Sequence, residues 1–149
     1  CRLKALSRIH ESGTACCRAN FKEGTIMQYM LIFQEPMSEF ANRTDPATAT
    51  THMAAWGAYI GALHGAGVVI NGHGLMAPQM GTTIRVREGK RLVQDGPYAD
   101  AKEHLGGYFV IEVPSLAVAL GWAEKAPCAG IGRVEVRPVM PPIAPGRKP

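Results

Sequence analysis

The chain has 149 residues, 46% of them hydrophobic and 19% charged, an ordinary balance for one folded domain with its own core, and this argues against wholesale disorder. The formal charge of +4 raises the question of nucleic acid, but Arg2, Lys4, Arg8, Arg18 and Lys22 crowd residues 1–26 and Arg147 with Lys148 the C-terminal end. The body between is slightly acidic and offers no basic face for nucleic acid; no run approaches the roughly 20 apolar residues that cross a bilayer, so the expected setting is cytoplasmic, without membrane insertion.

Residues 1–26 show no sustained hydrophobic period and hold Cys1, Cys16 and Cys17, whereas Cys128 alone lies in the patterned body. No Cys-x-x-Cys spacing occurs, so neither a metal knuckle nor a disulfide scaffold is implied. The expected organisation is a leader of uncertain origin at 1–26, a folded domain at 27–140 and a proline-rich tail at 141–149, where each proline removes a backbone donor.

Gln28 to Phe33 is an apolar run of strand length that Pro36 closes. Asp45-Pro46 offers an N-cap with proline at the first helical position, and Met53, Trp56, Ile60 and Leu63 then recur at helical spacing until Gly65 and Gly67. Val68 to Leu75 returns to strand character, interrupted by Gly72 and Gly74, where a bulge or a backbone lying close to a ligand is expected. Thr82 to Arg87 alternates strictly, placing Ile84 and Val86 on one face and Arg85 and Arg87 on the other; Glu88-Gly89 is a two-residue turn and Lys90 to Gln94 the partner strand. After the Asp95-Gly96-Pro97 turn, Tyr108 to Val113 is a strand, and Pro114-Ser115 caps a helix with Leu116, Ala119, Leu120 and Ala123 on one face. Val134 and Val136 alternate with Arg133, Glu135 and Arg137 in the last strand. The order β-α-β-(hairpin)-β-α-β predicts an α+β, ferredoxin-like fold with an inserted β-hairpin. Two helices cover one face of such a sheet, and a second subunit over the other face predicts a homodimer.

The stretch from Thr82 to Arg87 and on through Asp95-Gly96-Pro97-Tyr98, Lys102-Glu103 and Gly106-Gly107-Tyr108 resembles the YCII-related proteins of the DGPF type, as does the ending Val134-Glu135-Val136-Arg137-Pro138-Val139. The resemblance runs from Met27 to about Val139. It implies a ferredoxin-like fold that dimerises as an α+β barrel. Relatives in the wider family are proposed to pair a histidine with an aspartate, some resemble muconolactone-processing enzymes, and DGPF members often neighbour genes for extracytoplasmic-function sigma factors. Two departures stand out: Tyr98 replaces the family's phenylalanine, and Trp56 stands where many members carry histidine.

The candidate functional residues gather around one turn. Asp95, held by a rigid Gly-Pro turn, is positioned to accept a proton or orient a polar ligand, and equally to bind the amides of its own turn. His73 is the matching acid or base, with a hydrogen-bonded surface role as the alternative. Lys102 would hold an anion and Glu103 orient it, or the two form a solvated ion pair worth roughly 0–1 kcal/mol. Arg85 and Arg87 would form a cationic wall for a carboxylate, or guard an exposed edge, and Tyr98 adds a hydroxyl at the turn. Gly106-Gly107 lacks a phosphate-loop pattern and is expected to permit close backbone approach. His52, His64 and His104 lack metal-ligand spacing and are assigned to helix surfaces, and Trp56, Tyr59 and Tyr108 to core packing, with the lining of an apolar pocket as the alternative. No metal or cofactor is expected. The resulting expectation is a small polar or anionic molecule bound in a cleft between sheet and helices, with acid–base chemistry by Asp95 assisted by His73. The alternative is a non-enzymatic interaction or regulatory module linked to a sigma factor; the residues leave open whether the protein is an enzyme.

Overall fold

The computed structural model describes residues 26–97 and 101–141. Expectations for the leader, for the tail and for Tyr98 lie almost wholly outside them. The elements in chain order are β1 (Met27–Pro36), α1 (Met37–Asn42), α2 (Ala49–Gly65), β2 (Val69–Gly74), a 3₁₀ turn (Pro78–Met80), β3 (Thr82–Arg87), β4 (Lys90–Asp95), β5 (Glu103–Val113), α3 (Leu116–Glu124) and β6 (Arg133–Pro138). β2, β5, β1 and β6 form one antiparallel sheet in that order, and β3 with β4 forms a separate ribbon. Two interleaved split β-α-β units give this order, so the α+β architecture is compatible with the ferredoxin-like expectation.

Alternation along the central strands sorts the two faces. Tyr29, Leu31 and Phe33 of β1 and Phe109, Ile111 and Val113 of β5 point to the helices, where they meet Tyr59 and Leu63 of α2, Ala119 and Ala123 of α3, and Cys128. Phe33 is the hub. Its ring lies edge-on to Trp56 at 5.1 Å, Phe109 at 6.0 Å and Tyr59 at 6.3 Å between centroids, the arrangement that aromatic quadrupoles favour. Full burial of a side chain such as Leu31, Leu63 or Ile111 contributes about 1.5–3 kcal/mol. The Tyr59 hydroxyl donates to the Trp122 carbonyl at 3.1 Å and ties α2 to α3. Ser115 caps α3 as expected, its hydroxyl accepting from the Val118 amide. On the helix-free face, register places Met30 and Ile32 of β1 beside Val110 and Tyr108 of β5.

Several boundaries differ from the sequence reading. β1 continues past Phe33 to Pro36, since a proline at a strand's last position removes no needed ladder donor. β5 begins at Glu103 rather than Tyr108, because Gly106 and Gly107 lie inside the strand, at a bulge where Phe33 pairs with Gly107 and Gln34 with Leu105. Asp45 accepts from the Ala47 amide at 2.9 Å, a local turn that delays α2 to Ala49. Met53 is exposed, so the stripe of α2 that packs on the core is Trp56, Tyr59, Ile60 and Leu63. The hairpin forms with Glu88 at φ 50° and Gly89 at φ 74°, yet Ile84 and Val86 are exposed, because among the described residues β3 and β4 pair with each other and not with the four-stranded sheet.

Candidate functional site

The period of β1 carries one residue further than its hydrophobic run. Tyr29, Leu31 and Phe33 face the helices, and Glu35, in phase with them, is 1% exposed. A carboxylate there is costly unless it is paired. Arg43, just after α1, supplies the partner: its Nη2 donates to Glu35 Oε2 at 2.6 Å and to the Gly106 carbonyl at 3.3 Å, while Nη1 donates to the Leu75 carbonyl at 2.5 Å. Its guanidinium also stacks 4.5 Å from the centroid of Phe40. One arginine thus joins β1, β5 and the segment after β2. Gly106 makes the room, since a Cβ there would sit 2.5 Å from the Glu35 carboxylate. Among the described residues no hydrogen bond reaches Oε1 of Glu35, and this atom is not sealed from solvent.

A second pair stands nearby. Glu39 of α1 brings Oε2 to 3.3 Å from Nδ1 of His52 on α2, and Asn42 fixes the other carboxylate oxygen by donating to it at 2.9 Å. His52 leans on Trp56, one helical turn further along, with 6.5 Å between ring centroids. Glu35, Arg43 and His52 border a cleft of about 490 Å³ between α2 and the end of the sheet, and Glu39 reaches it only through His52. Its walls are mostly apolar, with Phe33, Trp56, Ile60, Phe109, Met53 and Met76, and its polar groups include Glu35, Arg43, His52 and His64. Gly72 runs directly over the Phe109 ring, where a Cβ would come within 2.1 Å of it, and a Cβ on Gly107 would be 2.7 Å from the His73 carbonyl. Close backbone approach at Gly107 agrees with the sequence reading, whereas the near neighbour of Gly72 is the Phe109 ring.

The residues singled out from sequence are dispersed. His73 borders the cleft, but its ring lies edge-on to Tyr108 at 5.9 Å, and register puts that pair on the face opposite Phe109. Asp95 ends β4, exposed, and accepts from the Thr82 hydroxyl at 3.5 Å. Gly96 and Pro97 border a separate shallow groove of about 690 Å³ with Thr83, Met80, Leu105 and His104. Arg85 and Arg87 lie on β3, away from both cavities, and Lys102 is exposed. Glu103 pairs with Arg133 at 3.1 Å. His104 is on β5 against Phe40 rather than on a helix, and His52 is turned into the cleft rather than out to solvent.

Sequence reasoning passed over Glu35, Glu39 and Arg43. The available signal was the two-residue period of β1, which runs on to Glu35 once Pro36 is read as the strand's last residue. Burial pushes the Cys128 thiol up to about 12, with the Glu35 charge adding to the effect. Burial likewise raises Tyr59, and Cys128 adds to it. Both groups are therefore neutral structural parts behind the cleft. Among the described residues no three His, Cys, Asp or Glu side chains are grouped as metal ligands, and no helix is long and apolar enough to cross a membrane.

A family model described as the YCII-related domain matches residues 27–143. An uncharacterised protein of Rhizobium meliloti (strain 1021) is 41% identical over 59 residues, which cover 38% of this chain and 48% of the relative. The similarity thus spans about half the length of that relative.

Proposed function

The chain belongs to the YCII-related domain family, and from that premise we propose that it binds a small molecule with an aromatic or alicyclic body in the cleft between α2 and the sheet. The observation that carries this reading is Glu35: a buried carboxylate, one oxygen held by Arg43, at the border of a mostly apolar cavity. Such a group fixes the orientation of a ligand that brings a hydroxyl or other donor, while the rings of Phe33, Trp56 and Phe109 hold its body. Arg43 already donates three hydrogen bonds within the protein, so the cleft favours a polar, hydrogen-bond-donating ligand over a strongly anionic one. Proton handling then belongs to groups that face the cleft rather than to Asp95 with His73, whose side chains point to different surroundings.

Titration of the full chain with small aromatic and alicyclic alcohols, followed by NMR at the Trp56 indole N–H, tests the reading. The expected result is a saturable shift that Glu35→Gln weakens about tenfold, the loss of one charge-assisted hydrogen bond. No shift with any member of the series, or equal binding by the variant, overturns it.

The reading includes a homodimer of the DGPF type, closed through the helix-free sheet face as an α+β barrel. Met30, Ile32, Tyr108 and Val110 on that face support it. A second reading, an interaction module for a protein partner such as a sigma factor, is favoured by the hairpin, whose Ile84, Val86, Leu92 and Val93 are all exposed. Its sign would be partner binding that Val86→Lys abolishes and Glu35→Gln leaves intact.

A further inference from the structure

We propose that His52, held by Glu39, is the group that moves protons in the cleft, and that its substrate is a small aromatic or alicyclic compound with an ionisable O–H or an acidic C–H. The inference rests on the cleft reading above and adds a chemical step to it.

The geometry starts at the helix junction. α1 is a single short helix whose Glu39 projects toward α2, and Asn42 occupies one oxygen of that carboxylate, leaving Oε2 directed at Nδ1 of His52. The distance of 3.3 Å is longer than a strong charge-assisted hydrogen bond, as such pairs commonly are without a ligand. A carboxylate at Nδ1 selects the tautomer with its proton on that nitrogen, so Nε2 carries the free lone pair. His52 lines the cleft, its side chain is only 8% exposed, and among the described residues Nε2 has no protein hydrogen-bond partner and is not sealed from solvent. The imidazole is therefore oriented on one side and open on the other. That is the construction of a general base: a proton acceptor facing the site, backed by a carboxylate that stabilises the cation when it forms.

The surroundings set the substrate class. Glu35 Oε1 and His52 Nε2 are two acceptors in a cavity whose walls are largely aromatic and aliphatic, so a bound molecule must bring donors. The step balances without a co-reactant: the substrate's O–H or C–H bond breaks, its electron pair stays on the substrate, and an N–H bond forms at Nε2. The imidazolium then returns the proton to a different atom of the same molecule, which leaves an isomer and the original base. Glu39 acts here as a positioning residue, since it touches the imidazole and not the substrate.

4-Nitrophenol, a compact aromatic with an O–H whose anion absorbs apart from its neutral form, is the probe. Added to the full chain at pH 6, it should bind saturably, and the bound ionised fraction should exceed that of free probe about fivefold, the effect of a one-unit downward shift beside a base. His52→Gln should still bind the probe but lose the increase. Glu39→Gln should move the His52 ring ¹⁵N shifts from the Nδ1–H toward the Nε2–H tautomer and retain binding with a reduced increase, the reduced increase being a readout that a merely structural pair would not move. If the ionised fraction in His52→Gln equals that of the parent, or binding occurs with no ionisation change in the parent, the proton-transfer role is wrong while the cleft reading stands. If the parent binds alcohols of the series above but not the probe, the proton-transfer role is wrong while the cleft reading stands. Should His52→Gln fail to fold, the ionised fraction of bound probe in Glu39→Gln decides, and an increase equal to the parent's overturns the proposal.

Discussion

At the residue scale, glycine is used in two opposite ways. Gly106 stands where any side chain would collide with a buried carboxylate, and Gly57 and Gly61 stand mid-helix with nothing within 4 Å of a Cβ. Gly106→Ala should therefore lose about 2–3 kcal/mol, because the clash must displace either Glu35 or the backbone of β5. Gly57→Ala, by contrast, should gain about 0.5–1 kcal/mol through a less flexible unfolded chain and better helix propensity. Chemical denaturation of both variants checks the pair, and equal or reversed effects would mean that Glu35 does not need the space. The same scale explains what the sequence concealed. Glu35 was legible as an in-phase member of β1, but its partner Arg43 lies across a short helix, and no spacing rule links a strand carboxylate to that particular arginine. His52 looked like a surface histidine for the same reason: Glu39 comes from a helix of six residues, too short to show a hydrophobic period.

At the scale of elements, the hairpin is the weakest joint. Its turn places Glu88 at φ 50° and Gly89 at φ 74°, the mirror-image turn that suits the strand twist but burdens a side chain at its first position. Asparagine tolerates that conformation, so Glu88→Asn should stabilise the β3–β4 ribbon by about 0.5 kcal/mol, read as roughly twofold slower amide hydrogen exchange there with no change in β1 or β5. Exchange slowed everywhere, or nowhere, would refute a locally opening hairpin. The alternation of Thr82 to Arg87 announced the strand and Glu88-Gly89 announced the turn. What alternation does not carry is the identity of the neighbour: Ile84 and Val86 share a face as expected, yet both are exposed, and among the described residues the ribbon pairs with no strand of the four-stranded sheet.

At the scale of the whole molecule, the helices lie on one side of a four-stranded sheet, and the proposed dimer would cover the other. Ile32→Lys puts a charge at the centre of that face, so it should convert a dimer to a monomer in light scattering at micromolar concentration, with the far-ultraviolet circular dichroism unchanged. A monomeric parent would refute the dimer, and a variant that stays dimeric would move the interface elsewhere. The Ser115 cap, the two-residue hairpin turn and the order of strands and helices apart from α1 were determined by the sequence alone, because each depends on local periodicity or turn chemistry that neighbours in the chain dictate, whereas the need for glycine at 72, 106 and 107 comes from Phe109, Glu35 and His73, distant in the chain. The site was decided only by tertiary structure. Glu35, Arg43, Glu39 and His52 come from three elements and one connecting segment, and their chemistry depends on distances that folding alone closes. The Asp95-Gly96-Pro97 turn, the most distinctive stretch of the sequence, borders a different groove from the one that Glu35, Arg43 and His52 line.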